Sequence, residues 1–268
     1  MFLNLKGDLQ SLETPIVMGV LNCTEDSFYA GSRYNDDTEV VVRASQILTE
    51  GAAIIDLGAV STRPGATTYL DAGTEYMKIK KYLKLIMKYI PHAKVSVDTF
   101  RANVAEMAIG EGAAFINDVS GGEDEKIFEV AAKLHVPYCL THNSRGIALT
   151  TEEMIPDMLR FFGEKIEKLK SLGVNDIVLD PGFGFGKTIE QNYHIMKNLS
   201  VFHELSMPLL VGISRKSMIY TPLTTTPDKA LAGTIALNTI AVQQNAHILR
   251  VHDVREAVDT IKITKMCL

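Results

Sequence analysis

Short apolar runs alternate with longer amphipathic segments along almost the whole chain, and few folds can accommodate that rhythm. The short runs lie at residues 15–21, 53–57, 94–97, 113–116, 136–140, 176–179, 208–211 and 246–249. Most are rich in Val, Ile and Leu without strict alternation, as strands covered on both faces should be. Apolar residues at three- and four-residue spacing mark helices at 38–50 and 73–89, and the segments 101–110, 124–134, 151–172, 188–199, 227–244 and 253–265 complete the helical set. In the third of these Val104, Ala105, Ala108 and Ile109 share one face, and in the second Met77 and Met87 are assigned to the core.

Helix-start chemistry agrees with these boundaries. Thr150 with Glu153, Thr188 with Gln191, and Asp253 with Glu256 have capping-box spacing, and Thr226-Pro227 reads as an N-cap followed by proline at the first helical position. Eight strands and eight helices in about 250 residues, with no linker between them, predict an α/β fold, a (β/α)8 TIM barrel. A doubly wound sheet could absorb the same pattern with less regularity. Residues 1–268 are expected to form a single domain, with the first dozen making a lid or small hairpin over the bottom of the barrel.

Composition narrows the function. The 268 residues are 46% hydrophobic and 22% charged, which excludes disorder, collagen-like repeats and a disulfide scaffold. A net charge of −5 argues against nucleic acid or an anionic membrane as the main partner. Cys23, Cys139 and Cys267 are far apart and have no metal-ligand spacing, so reduced thiols are expected. No secretory signal is visible, and no apolar stretch approaches the roughly 18 residues that span a bilayer. These features predict a cytoplasmic protein.

In a barrel of this kind, chemistry belongs at the carboxyl ends of the strands. Those positions carry Asn22, Asp56, Asp98, Asn117, Thr141 and His142, Asp180, Ser214 with Lys216, and Arg250 with His252. Any one of them could be a capping or surface residue, but together they point to a shared pocket. Period-two geometry puts Arg250 and His252 on the same side. The loop STRPG (61–65) offers hydroxyls, a guanidinium and a rigid turn suited to phosphate. The stretch DPGFGFGKT (180–188) fails as a P-loop because Pro181 stands where glycine is needed, and reads instead as a glycine-rich turn presenting aromatic rings. No histidine pattern supports zinc, and Ser144 and Ser217 lack the context of an activated nucleophile.

Seven segments then carry a resemblance. MGVLNCTEDSF (18–28), STRPG (61–65), VDT (97–99), INDVS (116–120), LDPGFGFGK (179–187), SRKS (214–217) and RVHD (250–253) resemble the dihydropteroate synthase family, in order, over nearly the whole chain. The resemblance implies folate biosynthesis, a homodimer through the last helices, and Mg2+ as cofactor. Its substrates would be 6-hydroxymethyl-7,8-dihydropterin diphosphate and p-aminobenzoate, with sulfonamides competing for the second site. It also implies residue roles. Asp98, Asp180 and Lys216 would be catalytic; Asp98, Asn117, Asp180, Lys216 and Arg250 would hold the pterin. Thr62, Arg63, Arg250 and His252 would meet the diphosphate, Asn22 the metal, and Pro64, Phe185, Ser214 and Lys216 the p-aminobenzoate. Acceptor-only carboxylates match a pterin's donor edge, which gives the assignment a physical basis.

Three segments depart from the family's usual pattern. Ala59-Val60 stand where Gly-Glu is common, residues 24–32 diverge from the usual first loop, and Thr141-His142-Asn143 replace Met-His-Met. None removes a recognised catalytic group, so an active enzyme is expected. The rival readings are a pterin-dependent methyltransferase domain, which needs neither a diphosphate clamp nor an arylamine site, and a catalytically silent pterin-binding paralogue.

Overall fold

The structure, a computed structural model, describes residues 1–23, 36–59, 70–144 and 148–268. A two-stranded antiparallel hairpin, β1 (Phe2–Leu5) and β2 (Asp8–Ser11), comes first. Eight parallel strands follow: β3 (Ile16–Asn22), β4 (Ile54–Gly58), β5 (Val95–Asp98), β6 (Phe115–Asp118), β7 (Tyr138–Thr141), β8 (Ile177–Asp180), β9 (Leu210–Val211) and β10 (Ile248–Val251). They pair in the order β8-β7-β6-β5-β4-β3-β10-β9, and a parallel bridge between Leu179 and Leu209 joins the two ends. The sheet is thus the (β/α)8 barrel that the alternation predicts.

The helices packed around it are α1 (Asp36–Thr49), α2 (Ala72–Tyr89), α3 (Ala102–Gly110), α4 (Lys126–Leu134), α5 (Thr151–Ser171), α6 (Ile189–Lys197), α7 (Ser217–Tyr220), α8 (Leu231–Gln243) and α9 (Val254–Met266). Capping boxes close at Thr150–Glu153 and Thr188–Gln191, as their spacing predicts. Asp253 differs: it stands at the N-cap of α9 but makes no capping bond, because Arg215 takes both its carboxylate oxygens. The helix expected at 227–244 is split into a 3-10 turn, Pro227–Lys229, and α8, while α7 is a turn of helix that sequence periodicity did not reveal. Met77 is exposed, contrary to its core assignment, whereas Met87 packs on the core.

The barrel wall has two faces with separate cores. Ile55, Leu57, Val95, Val97, Ile116, Leu140, Leu179 and Leu249 face the helices, in the larger cluster. The residues between them point inward. At the amino ends of the strands these are Met18, Ile54, Phe115, Cys139, Val178, Leu210 and Ile248, and Leu3, Leu5 and Leu12 of the hairpin segment join them as a plug. Two residues further along each strand, on the same face, stand Val20, Asp56, Asn117, Thr141, Asp180 and Arg250. The barrel interior therefore changes from hydrocarbon at one end to ionisable groups at the other. That gradient positions the site.

Candidate active site

The carboxyl ends of the strands hold a buried charge cluster beneath an open cavity. Asp56, Asp98, Asn117 and Asp180 are all buried. Arg250, from β10, binds two of these acids at once: Nε donates to Asp56 Oδ2 and Nη2 to Asp98 Oδ2, each at 2.6 Å. Asn117 Nδ2 donates to the same Asp56 oxygen at 3.1 Å. Burial pushes the Asp98 carboxyl up to about 7; Arg250 pulls against that shift, while Asp56 and Asp118 add to it. Burial also raises Asp180, against the pull of Lys216. The Lys216 ammonium is depressed to about 8, mainly by burial, although Asp180 favours its charge.

Above this cluster lies a cavity of about 240 Å³ lined by, among others, Asn22, Phe185, Ser214, Lys216, Arg250 and His252. Six of the residues singled out in the sequence therefore share one wall. Asp98, Asn117 and Asp180 do not line it; they lie behind Arg250 and Gly212, where a Cβ on Gly212 would come within 3.9 Å of Asp180 Oδ2. Asn22 reaches its place because β4 ends in Gly58, where a Cβ would stand 3.3 Å from Asn22 Oδ1 and 3.4 Å from Asp98 Cβ. Thr62, Arg63 and Pro64, with the divergent residues 24–32 and Val60, lie outside the described residues.

The lining groups are held by specific contacts. The Ser214 hydroxyl accepts from the His252 backbone N–H at 3.2 Å and lies 3.1 Å from His252 Nδ1. The Ser214 hydroxyl thus meets His252 at both its backbone and its ring, which fixes the orientation of the imidazole. Ser214, assigned to the arylamine from sequence, thus has its hydroxyl engaged in orienting His252. Lys216 follows Arg215, whose backbone is left-handed at φ 58°, a conformation costing about 1 kcal/mol or more for a non-glycine residue. The bidentate pair of Arg215 with Asp253, at 3.0 and 2.5 Å, and the Arg215 N–H bond to Thr234 hold that turn. Lys216 Nζ then donates to the Phe183 carbonyl and sits 4.4 Å from the centre of the Phe185 ring.

Two contributors escaped the sequence reading. In sequence Asp56 is one strand-end acid among several with no role of its own, yet in the fold it organises both Arg250 and Asn117. Lys187 only closes a stretch that fails as a P-loop. Its Nζ donates to the carbonyls of His142 (2.8 Å), Gly182 (2.8 Å) and Phe185 (3.2 Å), which clasps the glycine-rich turn to the end of β7. Gly182 lies at φ 68°, and a Cβ there would stand 2.0 Å from the His142 carbonyl oxygen, so only glycine fits. Of the divergent residues, Thr141 is buried, in register with Asp180. Among the described residues no group of three His, Cys, Asp or Glu could hold a metal ion, and no helix is long and apolar enough to cross a membrane. The cysteines are unpaired, and burial pushes the Cys23 thiol up to about 12.

Comparison with known proteins is consistent throughout. The model of the family described as pterin binding enzyme matches residues 18–252. Dihydropteroate synthase of Escherichia coli K12 is 37% identical over 98% of this chain and 95% of its own length. That of Clostridium beijerinckii is 40% identical over 94% of each. The solved structure of Xanthomonas albilineans dihydropteroate synthase with 4-aminobenzoic acid superposes with a TM-score of 0.93 at 32% identity, covering 99% of this chain and 97% of that one.

Proposed function

The chain belongs to the family of pterin-binding enzymes, and on that premise we infer that it is a dihydropteroate synthase, a transferase of the pterin-methyl group in folate synthesis. It joins 6-hydroxymethyl-7,8-dihydropterin diphosphate to p-aminobenzoate and releases diphosphate. One observation supports this reading above the others: Lys216, Arg250 and His252 line an open cavity, and Arg250 rests directly on buried Asp56 and Asp98. Such a site offers acceptors to a donor-rich ring and donors to an anionic leaving group.

The division of labour follows from that chemistry. Asp98, Asn117 and Asp180 pair with the ring's N–H groups, and Lys216 and Arg250 cover its acceptor side. Each buried group left unpaired costs about 1–3 kcal/mol, which rejects a wrong heterocycle. Arg250 and His252, with Thr62 and Arg63 from the second loop, hold the diphosphate. The bond from the pterin methylene carbon to the diphosphate oxygen breaks first, and its electron pair leaves with the diphosphate. The methylene cation is stabilised by the ring and the carboxylates beneath it. The arylamine nitrogen of p-aminobenzoate then supplies the new bond and sheds a proton, its ring lying near Pro64, Phe185, Ser214 and Lys216. Donors that tighten on the departing charge are worth on the order of 3 kcal/mol each.

Mg2+ fits as a partner of the leaving group, because the Asn22 amide oxygen is a hard donor on the same cavity wall and the substrate's phosphates would supply further oxygens. When bound, the ion would neutralise charge on the diphosphate. The exposed Ile240, Ile263 and Met266 on α8 and α9 support a homodimer through the last helices. We place the enzyme, as one domain, in the cytoplasm.

Diphosphate release tests the assignment. With pterin diphosphate, p-aminobenzoate and Mg2+ present, the wild-type chain should release diphosphate and form dihydropteroate. Lys216→Ala and Asp98→Ala should each fall by two orders of magnitude or more. Binding of the pterin without release would make the chain a silent pterin-binding protein, and methyl transfer to a cobalt corrin would make it a methyltransferase.

A further inference from the structure

The Asn117 amide has two ends of opposite hydrogen-bonding character, and only one is committed. Its Nδ2 donates to Asp56 Oδ2 at 3.1 Å, while its Oδ1 is buried and has no partner among the described residues. An amide turned by 180° keeps nearly the same shape, so a neighbour must decide which end a ligand meets. Asp56 can decide it. The same Oδ2 already receives Arg250 Nε at 2.6 Å, and a carboxylate in such an ion pair accepts only. Turning the amide would press Asn117 Oδ1 against Asp56 Oδ2, two buried acceptors about 3 Å apart, too close for a water to stand between them.

The alternative role for Asp56 is simply to balance Arg250. That role is shared, because Asp98 Oδ2 holds Arg250 Nη2 at 2.6 Å. The hold on Asn117 is not shared: among the described residues its amide bonds to Asp56 alone. The Asp56 oxygen in question is already committed to Arg250 and Asn117, so it acts through Asn117, whose Oδ1 is the amide atom left without a partner among the described residues.

We propose that Asp56 is a positioning residue that sets the site's preference for the reduced ring. By holding Nδ2 it leaves Asn117 Oδ1 as the presented atom, an acceptor. A 7,8-dihydropterin carries a ring N–H that the fully oxidised pterin lacks, and a fixed acceptor favours the first and repels the bare nitrogen of the second. The proposal rests on the reading of the cluster as the pterin site and names what that site discriminates.

The test compares the dissociation constants of 7,8-dihydropteroate and oxidised pteroate, by calorimetry on the full-length chain. The wild type should favour the dihydro compound by on the order of tenfold or more. Asp56→Ala releases the amide and should bring the ratio close to one. Asp56→Asn keeps an oxygen toward Arg250 and Asn117 without the charge and should retain the preference, a rescue that a role in balancing Arg250 does not predict. Asn117→Ala should lose the preference to the same extent as Asp56→Ala, and adding Asp56→Ala to it should change the ratio no further. In turnover, Asp56→Ala should raise the KM for pterin diphosphate more than it lowers kcat. An unchanged ratio in Asp56→Ala or Asn117→Ala overturns the proposal. A wild type that forms no dihydropteroate overturns instead the reading on which it rests.

Discussion

Two residues of the cluster titrate near neutrality in opposite senses, and this gives the reaction a pH window. Burial raises Asp98 to about 7, so its acceptor form is lost as pH falls through that value. Burial lowers Lys216 to about 8, so its donor form is lost as pH rises through that value. If both charged forms act, kcat/KM should follow a bell with limbs near 7 and 8. Lys216→Arg, which keeps its charge, should remove the alkaline limb; a wild-type profile flat from pH 6 to 9 would count against these roles. Lys187 makes a second prediction at this scale. Lys187→Met removes a donor from three carbonyls, of which Gly182 and Phe185 keep the backbone N–H groups of Phe185 and Ser144, at a cost of about 1–3 kcal/mol in thermal unfolding. Because those carbonyls shape the turn that carries Phe185, the KM for p-aminobenzoate should rise more than that for pterin diphosphate. The residue types at the strand ends were legible in the sequence, and so was their convergence. Nothing in the sequence showed that Lys187 binds carbonyls rather than phosphate, because its partners lie 2, 5 and 45 positions away.

At the scale of elements, the turn between β9 and α7 shows why local rules are insufficient. Asp253 with Glu256 has the spacing of a capping box, yet Arg215 claims Asp253 from 38 positions away. A charge-assisted bidentate pair is stronger than a neutral cap, so the tertiary contact wins over the local one. The consequence reaches Lys216, whose neighbour is held left-handed by that pair. Asp253→Ala should therefore lower kcat/KM by roughly tenfold, about 1.4 kcal/mol of barrier, although Asp253 is not assigned to any ligand. Stability should change less, since both partners are partly exposed to solvent. Steady-state kinetics beside a thermal melt separates the two effects. By contrast, Thr150 and Thr188 behave as their local sequence demands, because among the described residues no distant group competes for their hydroxyls.

Over the whole molecule, the barrel interior is divided between a plugged apolar end and a charged working end. The hairpin supplies the plug, with Leu3 and Leu5 almost wholly buried against the inner cluster. Leu5→Ala should cost about 2–5 kcal/mol in chemical denaturation while leaving the KM values close to wild type, since the site lies at the opposite end of the strands. A matching loss of substrate affinity would show that the two ends are coupled. The sequence by itself determined the eight strands of the barrel, most of the helix boundaries and the identity of the polar set. Those follow from local periodicity and from the rule that every second strand residue faces inward. Only the tertiary structure decided how that polar set divides: Asp56, Asp98, Asn117 and Asp180 in the buried cluster, Lys216 and His252 at the cavity, and Arg250 spanning both. Within that set the donor–acceptor pair Arg250–Asp56 spans 194 positions, and no local pattern records which donor meets which acceptor. The chain's net charge of −5 is similarly silent about the site, where cations line the opening and the acids that balance them are buried behind it.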